Sequence, residues 1–133
     1  MENIIEIVFF RSGIRKINAS AAAQYMIDKF NLEKLIVIGT CTSSNEGLNY
    51  GDIIIPSKVI DYDYIIRELE EEIDEELYLV PDQVSMPNEY YDGVLGTSDK
   101  ALVLWSDYTF LASNSIDASD LESYAVLKIC KTN

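Results

Sequence analysis

The chain has 133 residues, room for one domain spanning 1–133 with a real core, and its 48% hydrophobic and 25% charged content is that of a globular protein. Its 23 acidic residues against 10 basic ones give a formal net charge of −13, a field that repels phosphate backbones and argues against a nucleic-acid partner. The absence of histidine excludes a Ser-His-Asp triad, a Cys-His pair and a histidine-ligated zinc within the chain. Any catalysis falls to carboxylates, hydroxyls, lysine, tyrosine or cysteine. No apolar run reaches the ~18 residues of a membrane span, and the start MENIIEIVFF has no basic stretch of the signal-peptide kind. Cys41 and Cys130 are too few for a disulfide framework, which favours a reducing compartment, the cytoplasm by default.

Residues 3–10, NIIEIVFF, have the short, β-rich and almost wholly apolar character of a buried strand. Ser12-Gly13 breaks it, and Asn18 is placed to cap a following helix. Ala19, Ala22, Ala23, Met26, Ile27 and Phe30 then fall on one helical stripe, which predicts a helix over 18–30 packed closely on a sheet. KLIVIG, residues 34–39, reads as a second buried strand, so the segment forms a βαβ unit with a partly parallel sheet. Strand character resumes over 52–60, with Pro56 marking an edge or a bulge. The acidic segment 65–79 has apolar residues at helical spacing and predicts an amphipathic helix or connecting arm, its charges a solvated face rather than a metal site. Residues 90–97 and 101–104 are strand candidates, and a buried helix is expected over about 121–131.

Three stretches have residue types suited to chemistry. The loop 38–52, IGTCTSSNEGLNYGD, is rich in hydroxyls and glycine at the end of a strand, where open α/β sheets bind ligands. On pattern alone it is better explained as an ordinary polar connection, and it lacks the Gly-Lys-Ser/Thr of a P-loop. Ser119 and Glu122 have capping-box spacing, which accounts for both residues structurally. The functional alternative has Glu122 accept two hydroxyl hydrogen bonds from a vicinal diol. Asp99 is either a turn former or a site carboxylate.

These stretches together resemble the nucleoside phosphorylase and methylthioadenosine/S-adenosylhomocysteine nucleosidase superfamily. SGIRKINASAAAQYMIDKF (12–30) is similar to its SGIGKVNAA segment. IGTCTSSNEGLNYGDIIIPSKVIDYD (38–63) is similar to its TGSAGGL…GDIVI…H.D region, with Asp63 at the terminal aspartate and Tyr62 where histidine is common. LGTSDKAL (95–102) resembles the SGD-x-F-I segment, and SDLESYAVLKIC (119–130) the DMEaaAiA-VC segment. The four occur in the family's order.

The resemblance implies a three-layer α/β/α fold with a central mixed, partly parallel sheet, here truncated at both ends, and cleavage of the bond between a purine-type base and ribose. It implies that Glu122 holds the ribose hydroxyls, that Leu121 packs under the sugar, and that Thr40, Cys41 and Thr42 line its sugar or anion end. Ala101 and Leu102 would lie near the base. Four departures bear on activity. Ala101 replaces the family's aromatic platform, and Val37 stands where phosphorylases place an arginine, which favours hydrolysis over phosphorolysis. The family's water-activating glutamate has no counterpart before Asn3, and its proton-donating aspartate belongs to a strand beyond the last helix of this chain, so no catalytic acid is assigned. The expected ligand is a small-molecule nucleoside, with no cofactor, no metal, no membrane and a homo-oligomeric assembly. A nucleosidase, a nucleoside-binding or scaffold protein with the same fold, and an α/β domain without a ligand remain as three readings.

Overall fold

The computed structural model describes residues 6–63, 77–78 and 89–133, the pair 77–78 as backbone. In chain order the elements are helix α1 (Arg15–Phe30), β1 (Thr42–Ser43), β2 (Lys58–Asp61), β3 (Leu77–Tyr78), β4 (Val94–Thr97), α2 (Trp105–Ser113), β5 (Ala118–Asp120) and α3 (Ser123–Thr132). The strands form one mixed sheet in the order β1-β5-β4-β2-β3. β2, β4 and β5 run parallel, while β1 and β3 are antiparallel at the two edges.

Alternation along the strands divides the core between the two faces. Val59, Leu95 and Ala118 point to the side where Tyr124 and Leu127 of α3 pack, and α1 lies behind, its Ala19 and Ala23 against Val126 and Ile129. Ile60, Tyr62 and Ile116 point the other way and are covered by Leu111 and Phe110 of α2, with Leu102. The result is helix, sheet, helix: the three-layer architecture expected. Gly96 in β4 is required by this packing, since an added Cβ would lie 2.6 Å from Tyr62 Cδ1 and 2.9 Å from Ile116 Cγ2.

Several sequence expectations are corrected. Residues 6–10 and 34–39 join no strand ladder among the described residues, and residues 3–5 lie outside them. Both segments are solvent-facing, with Phe9 89% and Ile38 87% exposed. Apolar composition marks what gains by burial, but a strand also needs a neighbour for its backbone. The strand expected over 52–60 is a bridge from Ile54 to Tyr91 and then β2, with Pro56, which has no N–H to donate, in the interval. Residues 65–76 lie outside the described residues; 77–78 form the edge strand β3 rather than the end of a helix. Residues 101–104 are a loop leading into α2.

The first helix opens three residues before Asn18, whose amide donates to Ile14 O within the helix instead of capping it. It closes at Asn31, left-handed at φ 49°, whose N–H reaches Ile27 O. The capping box at Ser119 and Glu122 does not form. Ser119 Oγ is buried against Tyr62 OH at 2.9 Å. The first turn of α3 is held instead by Asp120 Oδ2, accepting from Ser123 N at 3.0 Å, and by Thr97 Oγ1, accepting from Tyr124 N at 3.0 Å.

Candidate functional site at the carboxyl ends of the parallel strands

The three parallel strands end side by side. Asp61 is in register with Thr97, and Thr97 with Asp120. Each strand ends in or hands over to acidic residues: Asp61 closes β2 and Asp63 follows it, Asp99 follows β4, and Asp120 closes β5 with Glu122 beyond it. The amino end of α1 is the pole that receives them. Its Ile14 cap has no side-chain acceptor and its first turn no acidic residue, so the open N–H groups find partners far away in sequence. Arg15 N donates to Glu122 Oε1 at 2.8 Å, and Lys16 N to Asp99 Oδ1 at 3.1 Å.

The Lys16 side chain completes the arrangement. Its Nζ lies 2.8 Å from Asp61 Oδ2 and 2.6 Å from Asp63 Oδ2. Asp63 also accepts from Ser98 Oγ and, at 3.0 Å, from Asp99 N. Burial alone would raise the Asp63 pKa, but the ammonium of Lys16, Ser98 and the Asp99 N–H outweigh it and hold the carboxyl below its ordinary value. Burial would lower Lys16; the two aspartates reverse that and raise it.

The site residues expected from sequence fall around this pole unevenly. Glu122 is half-buried, held by Arg15 N and, at 3.3 Å, by Leu121 N through its other oxygen. Leu121 is half-buried beside it. β1 runs antiparallel to β5 with Thr42 opposite Ser119, which brings exposed Thr40, Cys41 and Thr42 to the carboxyl end of β5. The Cys41 thiol is raised by the atoms that desolvate it, although the residue reaches solvent, and then by the charge of Asp120. Ala101 is exposed, whereas Leu102 turns into the core beneath α2. Val37 lies on the exposed segment 34–39. Asp117 is remote from the pole: it ties Asn45, Tyr91 and the Val94 N–H together at the start of β4.

Sequence reasoning missed Lys16 and Asp61, since nothing local links residues 45 positions apart. Among the described residues no group of three or more His, Cys, Asp or Glu is disposed to hold a metal ion, and no helix is long and apolar enough to cross a membrane.

A family model described as the phosphorylase superfamily matches residues 4–131. The chain belongs to that superfamily. A 5′-methylthioadenosine/S-adenosylhomocysteine nucleosidase of Bacillus cytotoxicus is 24% identical over an alignment that takes in 94% of this chain and 62% of the relative. A nucleosidase of the same name from Maridesulfovibrio salexigens is 38% identical across 46% of this chain and 26% of its own length. Among solved structures, the nucleosidase of Colwellia psychrerythraea in complex with adenine superposes with a TM-score of 0.74 at 22% identity, covering 92% of this chain and 58% of that one. A futalosine hydrolase mutant of Helicobacter pylori gives 0.74 at 17% identity, with 91% and 61% covered. These structural likenesses establish the α/β fold shared by the superfamily. The chain thus spans about three fifths or less of the proteins it matches.

Proposed function

We propose that the carboxyl ends of β4 and β5 form a purine-nucleoside site in which Glu122 grips the 2′ and 3′ hydroxyls of the ribose, and that the associated reaction is hydrolytic cleavage of the N-glycosidic bond. The observation that carries this reading is the state of Glu122. An ionised carboxylate has about four acceptor positions. Two are taken by backbone N–H groups, which leaves capacity for both hydroxyls of a diol. Superfamily membership and the nucleosidase names of the relatives support the substrate class. Thr40, Cys41, Thr42 and Leu121 would border the sugar, with Ala101 toward the base, and Val37 in place of arginine favours water over phosphate as acceptor.

One observation favours binding without efficient turnover as the second reading. Cleavage places negative charge on the departing base, and a positioned acid typically contributes ~10²–10⁴-fold in rate. The described carboxylates at the pole are already acceptors: Asp61 and Asp63 from Lys16, Asp99 from the Lys16 N–H, Asp120 from Ser123 N. None is arranged to donate a proton. Calorimetric titration with methylthioadenosine tests the site: the wild-type chain binds, and Glu122→Gln loses the interaction. No binding by the wild type, or equal binding by both, overturns it. Release of adenine, followed chromatographically, separates turnover from binding alone. The exposed apolar segments 6–10 and 34–39 support self-association of the chain, and a monomer mass by light scattering at micromolar concentration would count against that.

A further inference from the structure

Arg15 has φ 73°, a left-handed conformation at a position that is neither glycine, asparagine nor aspartate. Its side chain is exposed, and among the described residues no hydrogen bond of the guanidinium accounts for the strain. The backbone does. A left-handed residue followed by a helical one turns successive N–H groups toward a common side and makes an anion-binding concavity. Here the two N–H groups, of Arg15 and Lys16, meet Glu122 Oε1 at 2.8 Å and Asp99 Oδ1 at 3.1 Å, carboxylates 107 and 83 residues away.

We infer that the left-handed turn at Arg15 is a positioning device for Glu122: its N–H fixes one carboxylate oxygen so that the remaining acceptor positions face a ribose diol. This rests on the reading of Glu122 given above. Arg15 itself touches no substrate; it acts through Glu122. The strain is sustained because the amino end of α1, otherwise uncapped, gains two charged acceptors by adopting it.

The test reads diol recognition rather than affinity alone. Methylthioadenosine and its 2′-deoxy analogue are titrated against wild type, Arg15→Gly and Arg15→Val. Glycine retains the N–H and adopts φ 73° without strain, so the preference for the ribonucleoside is preserved. Valine is forced out of that conformation, and the preference falls at least tenfold in a protein whose amide NMR spectrum remains folded. A merely structural role would weaken both ligands alike and leave the ratio unchanged. Should Arg15→Val fail to fold, replacing the Arg15 amide by an ester through an α-hydroxy acid at that position removes the donor alone, with the same loss expected. A folded valine or ester variant with the wild-type ratio overturns the inference while leaving the diol site standing. Absence of nucleoside binding by the wild type overturns both, and the Arg15 amide resonance then shows which link failed: it moves on Glu122→Gln if the contact exists and stays fixed if it does not.

Discussion

Replacing Lys16 with methionine removes the cation from between Asp61 and Asp63 while keeping much of the side-chain volume. The two ion pairs broken by this change are short, 2.8 and 2.6 Å, and sheltered: the Lys16, Asp61 and Asp63 side chains are 17%, 8% and 23% exposed. At an effective dielectric constant of ~20 each such pair is worth about 6 kcal/mol in gross Coulomb energy. Desolvation of three charges consumes most of that, and breaking a buried pair by deleting one partner costs about 3–5 kcal/mol in practice. Partial exposure lowers the expectation to about 2–4 kcal/mol at pH 7, because the variant leaves two carboxylates side by side, Asp63 N donating to Asp61 Oδ1, in a chain already at −13. The pH dependence identifies the cause. With its folded pKa lowered, Asp63 stabilises the wild type above the unfolded value of ~3.9, and that contribution disappears as pH falls through the folded value. With its folded pKa raised, Lys16 contributes below ~10.4 and is lost as pH rises through its folded value. In Lys16→Met the aspartates gain by protonation, so the deficit narrows as pH drops from 7 toward 4. Urea unfolding at stepped pH measures both. A loss below about 1 kcal/mol at pH 7, or one that does not change down to pH 4, refutes the assignment. Lys100→Met, which breaks the pair with Asp107 from a lysine side chain 59% exposed, serves as the control with a smaller loss.

Two further perturbations have stated outcomes. Thr97→Val removes the fully buried hydroxyl that donates to Asp120 and accepts the Tyr124 N–H, and should cost about 1–3 kcal/mol in urea unfolding, with faster hydrogen exchange at the start of α3. Gly96→Ala drives a methyl into Tyr62 and Ile116, both nearly inaccessible to solvent, and should cost about 1–3 kcal/mol, seen as a lower thermal midpoint. An unchanged midpoint would mean that the sheet and α2 are less closely packed than the geometry states.

Where the sequence is legible, one element supplies its own signal. The alanine stripe of α1 specifies a face, and Ala19, Ala23 and Met26 are the residues it buries. Glu122 is visible as a carboxylate at a helix entrance. What is illegible depends on partners distant in the chain. NIIEIVFF and KLIVIG have strand composition, yet composition does not say whether another strand adjoins them. The apolar ALVL reads as a strand although it leads into α2; the contrary signal is Asp107, whose carboxylate reaches back to the N–H groups of Val103 and Leu104 as an early-turn acid does. Capping-box spacing at Ser119 and Glu122 misleads for a related reason. Tyr62 claims the serine from across the sheet, and Asp120 with Thr97 already satisfies the turn.

Once Asp120 and Thr97 hold α3, Glu122 is free to be recruited elsewhere, and it is the amino end of α1 that recruits it. That end gathers carboxylates from the termini of all three parallel strands: Asp61 and Asp63 through the Lys16 ammonium, Asp99 and Glu122 through consecutive N–H groups. If Glu122 grips a diol as proposed, stability and ligand recognition are coupled through one turn of helix. Lys16 Nζ pins the first turn of α1 to β2, and the same turn aims the Arg15 N–H at Glu122. Loosening the first contact shifts the second, so Lys16→Met should weaken diol recognition even though Lys16 lies on the Asp61 side of the pole and touches no oxygen of Glu122. A Lys16→Met chain, studied under conditions where it remains folded and with an undiminished preference for ribonucleoside over its 2′-deoxy analogue, would show that the two contacts are independent and that α1 is not the link between them.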